Sequence, residues 1–385
     1  GGICISGEAR QQVGSKLDLA YEILGAHTVK NIETPVAVYR VVAPGGPKTG
    51  GKAAAEAPGS FNPCAPAAER PVIIVLPFQN LSGDADQEYF CDGLTQDITT
   101  DLSRFANLFV IAAHSAFTYK GRYITPEQLR RDLGVRYFLV GSVQGGGKRV
   151  RVNAQLIDAE TGHHIWAKRL DREFEEIFEL QDELISTIVA ALAVKVGEME
   201  MRRILHRPPR DLSAYDAFMR GSHAYSNETL DDLEAAERWY RRAIEIDPEY
   251  ARGWGELSYT LVQKYIGGWA GEELLEEAGS AARRAVRLDD SDYFSHWNLG
   301  FFYLHSGQFA RCELAFREAY ALNDNDADLL VEMGEALICM GEVEAGNAQV
   351  RRALEMNPHA PDWYHWTLAL GEYCAKNYDA ALDNL

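Results

Sequence analysis

In the second half of the chain, small, aromatic and turn residues return about every 34 positions. From Tyr293 to Asp326 these are Leu299, Gly300, Tyr303, Gly307, Phe309, Phe316 and Ala319. From Ala327 to Ala360 they are Met333, Gly334, Leu337, Gly341, Val343, Val350, Ala353 and Pro358, at matching offsets. One fixed period of this kind predicts stacked helical hairpins, each too small to bury its apolar face alone. Two less regular hairpins precede them. Ser213 to Pro248 carries extra residues near Asn227 to Asp231, and Ala251 to Asp290 a longer loop around Gly267-Gly268-Trp269. A further hairpin opens near Pro361, and Leu385 falls inside its second helix. About four and a half hairpins over 211–385 are expected, with the end read as a cut.

The middle of the chain, 71–210, has a different rhythm. Val72 to Leu76 is a continuous β-branched run, as in a strand covered on both faces, and Pro77 stops it. Glu88 to Phe105 is helical, with Phe90, Leu94, Ile98, Leu102 and Phe105 on one side. A short strand is expected at Leu108 to Ile111. Thr125-Pro126-Glu127-Gln128 opens another helix with a capping box. Tyr137 to Val143, Val150 to Ile157 and Ile165 to Leu170 read as strands. Turns are expected between them at Gly145-Gly146-Gly147 and Thr161-Gly162. Phe174 to Ile204 reads as one long amphipathic helix. Strands and helices in this order make an α/β or α+β sheet domain, which an all-α solenoid then follows.

The first stretch, 1–42, predicts a strand at Ile3 to Ile5, a helix over Gly7 to Val13 capped by Ser6, and an extended run over Leu17 to Leu24. A turn at Gly25-Ala26-His27 and an alternating strand over Val36 to Val42 follow. About forty residues are too few for a core of their own, so the piece reads as the tail of a larger domain. Residues 43–70 are rich in Gly, Pro and Ala and read as a linker.

Charge changes the picture in one place. The net charge is −17 over 213–385, −3 over 71–212 and +1 over 1–70. An acidic array repels nucleic acid, suits a basic partner, and also keeps a helix surface solvated. The six cysteines stand singly with no C-x-x-C, which removes a zinc or redox motif and fits a reduced, cytoplasmic protein. Gly1-Gly2-Ile3 gives no basic start for a signal peptide, and Val72 to Phe78 is too short to span a bilayer.

Three resemblances extend the reading. The periodic half resembles the tetratricopeptide repeat, a family of protein-binding arrays. Gly1-Gly2-Ile3-Cys4-Ile5-Ser6, Leu17 to Glu22, Leu24-Gly25, Val29 to Ile32 and Pro35 to Tyr39 resemble the C-terminal end of a class III adenylate cyclase domain. That family converts ATP to cyclic AMP with two magnesium or manganese ions held by aspartates, an asparagine and an arginine stabilising the transition state, and a dimeric catalytic domain. Those residues lie upstream of the matched strand in the family. The resemblance therefore implies a cyclase parent but no catalytic, cofactor-binding or metal residue here. Lys30 belongs to the family's stretch and reads as a structural charge. Val75 to Phe78, Glu88-Tyr89-Phe90, Asp92-Gly93-Leu94, Ser115, Leu133 to Tyr137, Gly141-Ser142-Val143 and Ala154 to Asp158 resemble a TolB amino-terminal-like domain. There Cys91 stands where a small residue such as alanine is expected.

Candidate chemistry is sparse. Gly145 to Lys148 fails as a phosphate loop, because Ser142 and Arg149 stand where Gly and Ser or Thr are needed. His163 and His164 are adjacent, so a strand points them apart. Asp84, Asp86 and Asp92 gather near the C-terminal end of the first sheet strand, where such sheets bind ligands, although turn and helix-start roles explain them too. The repeats offer more. In the tetratricopeptide family the first helix of each hairpin lines a concave groove, which places Phe294, Trp297, Phe301 and Leu304 there. Asp328, Val331, Glu335 and Ile338 would lie beside them, with Tyr259 from the preceding hairpin. Aromatic anchors with acidic flanks suit an apolar, basic peptide, and packing between neighbouring hairpins is the competing role.

Overall fold

A computed structural model describes residues 4–6, 20–27, 36–42, 70–84, 87–105, 107–146, 149–173, 176–192, 212–225, 229–269 and 271–385. The chain divides into two units, 1–62 and 63–385.

In the first unit β1 (Cys4–Ser6), β2 (Ala20–His27) and β3 (Val36–Val42) form an antiparallel sheet with β3 central. The turn expected at Gly25 to His27 is instead strand. Ile23 faces Tyr39 and Gly25 faces Val38, so Leu24 is one extra residue, a bulge that bends the strand without ending it. The helix expected over Gly7 to Val13, Lys30 and most of the expected linker lie outside the described residues.

The second unit opens with a mixed sheet. Its strands are β4 (Val72–Val75), β5 (Gln79–Asn80), β6 (Phe109–Val110), β7 (Tyr137–Gly146), β8 (Arg149–Asp158) and β9 (His164–Glu173). The order is β6-β4-β7-β8-β9, with β5 also on β7. β4 runs parallel to both neighbours, which is why its sequence is apolar without alternation. Ile73 and Val75 enter one core, and Ile74 enters the other. β8 lies between two antiparallel strands and alternates, burying Val150, Val152, Ala154 and Leu156.

Four helices belong to this sheet: α1 (Glu88–Ser103), α2 (Ala113–Phe117), α3 (Pro126–Leu133) and α4 (Ile177–Ala191). α3 carries the expected capping box. The Gln128 amide donates to Thr125 Oγ1 at 3.3 Å and the Thr125 amide to Gln128 Oε1 at 3.0 Å. α4 starts later than Phe174, and 193–211 lies outside the described residues. α1 presses Phe90, Leu94, Ile98 and Leu102 on the sheet beside Leu180, Leu184 and Ile188 of α4.

Among the described residues, ten helices then pair into five hairpins. They are α5 (Leu212–Ala224) with α6 (Leu230–Ile246), α7 (Ala251–Ile266) with α8 (Glu272–Leu288), and α9 (Tyr293–His305) with α10 (Phe309–Leu322). Then come α11 (Ala327–Cys339) with α12 (Val343–Met356) and α13 (Asp362–Cys374) with α14 (Tyr378–Asp383). Gly307 and Gly341 turn two of the hairpins with φ of 71° and 88°, left-handed backbone that glycine adopts without strain. A Cβ on Gly346 would sit 2.6 Å from the Gly334 carbonyl, so the close crossing of α11 and α12 at this point requires glycine.

The second helix of each of the first four hairpins ends alike. An alanine carbonyl four residues back accepts the amide of Asp247, Asp289, Asn323 or Asn357. The side chains of Asp247, Asp289 and Asn323 then accept the amide two residues on, at 3.0, 3.0 and 3.1 Å. The residue is Asp in the first two hairpins and Asn in the next two. The asparagines reach the sheet domain. Asn323 Nδ2 donates to Ser103 Oγ at 3.0 Å, and Ser115 Oγ donates to Asn357 Oδ1 at 2.5 Å. Nearby, Asn325 Nδ2 donates to the Leu108 carbonyl at 3.0 Å and the Ala112 amide to the Met356 carbonyl at 3.0 Å. An amide supplies a donor that a carboxylate lacks, and the turn at Asn323 uses it, whereas Asn357 reaches the sheet domain as an acceptor. Sheet domain and array share one continuous core, from Val75 and Leu94 through Phe218 and Tyr240 to Trp297 and Phe316.

Candidate functional site

The concave side of the array encloses a cavity of about 580 Å³, closed on its other side by the sheet domain. The sheet domain contributes Gln96, Thr99, Thr100 and Ser103 of α1, together with the segment from Ala112 to His114. Those α1 positions are spaced as one helical face, opposite the apolar face that meets the sheet. On this polar side Thr99, Thr100 and Ser103 are buried while Gln96 stays exposed, and the face fills space that an array standing alone would leave open.

The nominated groove residues separate into two groups. Tyr259, Phe294, Trp297 and Asp328 line the cavity. Phe301, Leu304 and Glu335 do not. Phe301 stacks on Tyr259 with centroids 4.6 Å apart and meets His305 edge-on at 4.5 Å. Leu304, Val331 and Ile338 are buried among the hairpins, and Glu335 is half-buried, its carboxyl raised by burial. Trp297 is itself buried, and it stacks on Phe294 at 5.3 Å.

What organises this wall is Glu332, which is 3% exposed. Tyr259 Oη donates to its Oε1 at 2.8 Å and Trp297 Nε1 to its Oε2 at 2.6 Å. Burial holds the Glu332 carboxyl well above the usual carboxylate range, against the pull of those two donors. Burial pushes Glu256 up to about 7, with Arg252 opposing it. Asp326, which accepts from Tyr293 Oη at 2.8 Å and the Leu329 amide at 3.0 Å, is pushed up to about 6 by burial and by Asp328. Asp328 accepts from Tyr364 Oη.

Beside the cavity a second buried network ties the sheet domain to the first three hairpins. Asp97 of α1 accepts from Tyr215 of α5 and from Gln181 Nε2 of α4, the latter at 3.3 Å. Arg252 of α7 lies 3.7 Å from Asp97 and 3.7 Å from Asp292, which caps α9. Its guanidinium sits over the Phe294 ring at 4.9 Å. Of these residues the sequence alone nominated only Phe294 for the groove.

The remaining candidates have structural roles. Asp92 accepts from Lys120 Nζ at 2.6 Å and faces His223 Nδ1 at 3.5 Å. The Asp84 carbonyl accepts from Asn80 Nδ2 at 2.8 Å, and Asp86 lies outside the described residues. Gly145 and Gly146 sit in the β7–β8 hairpin, with Gly146 facing Arg149. His163 and His164 are exposed, and among the described residues no group of three His, Cys, Asp or Glu side chains is placed to hold a metal. Cys91, in the small-residue position, is buried in the core, and burial pushes its thiol up to about 12. Among the described residues no helix is long and apolar enough to cross a membrane.

The family profile of the tetratricopeptide repeat matches residues 219–250. A protein of Rhizobium meliloti (strain 1021) named "Putative adenylate cyclase 3" is 41% identical over 302 residues, 78% of this chain and 50% of that protein. The chain spans about half the length of that relative. Among solved structures, YrrB, described as a TPR protein with an unusual peptide-binding site, is 21% identical, covering 44% of this chain and 82% of its own, with a TM-score of 0.30. TolB from Acinetobacter baumannii is 16% identical, covering 48% of this chain and 33% of its own, with a TM-score of 0.26.

Proposed function

We propose that this chain is the regulatory and protein-interaction part of a cytoplasmic adenylate cyclase. In this reading residues 1–42 end a class III catalytic domain and 71–210 are TolB-like. The array 211–385 binds a protein or peptide, and the parent converts ATP to cyclic AMP and pyrophosphate. The observation that carries it is the 41% identity to a protein named as an adenylate cyclase, held over 302 residues. The resemblance of the 1–42 sequence to the end of a class III cyclase domain supports it. The parent's two magnesium or manganese ions would be held by aspartates that no residue of this chain matches.

The test compares the longer parent with this chain, each supplied with ATP and manganese. Cyclic AMP from the parent and none from this chain is the expected result. A parent that forms no cyclic AMP, although it carries the metal aspartates, would sink the reading. A second reading, a non-catalytic scaffold for a basic, apolar partner, is favoured by one observation: the carboxylates that line the concave face.

A further inference from the structure

We propose that the cavity between the array and the sheet domain is a receptor site for a small organic cation, a molecule bearing ammonium or guanidinium groups. Its volume, about 580 Å³, is within the range of small-molecule sites. Its walls carry the carboxyl groups of Glu256, Asp326, Asp328, Glu332 and Asp362, and no lysine or arginine. Buried acids are ordinarily matched by a basic side chain. Here the donors to Glu332 and Asp326 are phenols, an indole and a backbone amide, none of which carries a charge.

The nearby basic groups do not change this sign. Arg252 is engaged by Asp97 and Asp292 and lies behind the Phe294 ring. His114, on the wall, is held below the usual histidine range by burial and by His359. Aromatic rings complete the walls: Phe117, Tyr225, Tyr259, Phe294, Trp297 and Trp363. Their faces attract cations and repel anions.

Two further observations select the class of cation. Asn325, 2% exposed and on the cavity wall, has its Nδ2 committed to the Leu108 carbonyl. Its buried Oδ1 has no hydrogen-bond partner among the described residues, so it is an acceptor in want of an N–H or O–H. The wall carboxylates form no group compact enough for a metal ion. Carboxyl oxygens spread around an aromatic box suit an extended polyamine or a Lys or Arg side chain better than a point charge.

The test is calorimetric titration of the whole 385-residue chain with spermidine, and in a second arm with a short lysine-rich peptide. Saturable binding in either arm is expected, and the arm that binds identifies the source of the cation. Asp362→Asn should weaken it about tenfold, the loss of one charge-assisted contact, and Glu332→Gln should weaken it as well. Asp362 is exposed at the rim, so its variant should fold normally. If Glu332→Gln does not melt cooperatively, Asp362→Asn and Trp363→Leu decide the matter. No saturable heat in either arm overturns the proposal. Affinity unchanged in the folded variants, or magnesium competing as well as spermidine, also overturns it. Binding is read on this chain alone, so the outcome is independent of whether the parent makes cyclic AMP.

Discussion

The Asp97 carboxylate and the Arg252 guanidinium lie 3.7 Å apart, with both side chains close to nine-tenths buried. Arg252→Met would leave Asp97 and Asp292 inside the protein without their cation. Removing one partner of a buried pair costs about 3–5 kcal/mol. Urea denaturation should show that loss, and Arg252→Met with Asp97→Asn should recover part of it. A change under about 1 kcal/mol would place the pair in the weak class of surface ion pairs.

Asn323→Asp is conservative by the standard of the first two hairpins, whose turns carry Asp247 and Asp289. Here it removes the donor to Ser103 Oγ and buries a charge. Destabilisation of about 1–3 kcal/mol is expected, from an unsatisfied buried polar group. The reverse change, Asp289→Asn, should leave the urea midpoint nearly unmoved. Equal effects at the two positions would mean that the sheet contact contributes nothing.

Burial gives the stability a pH signature. Glu256, facing Arg252, Asp292 and Asn298, is pushed up to about 7 and Asp326 to about 6. Unfolded carboxyls titrate near 4, so the folded protein holds these protons more tightly. Stability from this source is therefore complete below about pH 4 and is lost as pH rises through 6 to 7. His305, lowered to about 4 by burial, acts in the opposite sense over much of that window. The informative measurement is a difference. Glu256→Gln should gain on the wild type as pH rises from about 4.5 to 7.5. A pH-independent difference would show that Glu256 stays charged throughout.

The last hairpin should be the least protected. α14 buries only Ala381, and Trp366, Tyr373 and Leu382 are 60, 63 and 70% exposed. Lys376 takes φ of 65° near where Gly307 and Gly341 turn the earlier hairpins. Amides of 362–383 should exchange faster than those of 293–322. Lys376→Gly should narrow the gap by relieving about 1 kcal/mol of left-handed strain. Equal protection at the outset would contradict this account.

The repeats were legible because their period is local. Leu299, Gly300 and Phe316 announce a hairpin whatever lies around it, and Thr125 and Gln128 announce a helix start. Of the nominated pair, Trp297 lines the cavity and Phe301 stacks on Tyr259 outside it. The sequence did not reveal that α1 lies against the array, since no local pattern links Gln96, Thr99, Thr100 and Ser103 to helices far along the chain. Nothing in the sequence marked out Glu332. Its burial comes from Tyr259, 73 residues away, and from Trp297, 35 away, at separations that no local pattern encodes. One faint signal was present: Asp at the first two hairpin ends, Asn at the next two.

An open stack of helical hairpins is a soft spring, because each hairpin touches only its neighbours and small tilts accumulate along the coil. Here the sheet domain is a chord drawn across that coil. It grips Tyr215 in the first hairpin, Arg252 in the second, and the turns at Asn323 and Asn357 after the third and fourth. A chord fixes the radius of its arc. The first four hairpins therefore cannot tighten or unwind without breaking hydrogen bonds to the sheet. A tug on the last hairpin is transmitted to the strands as displacement, not absorbed along the way as bending.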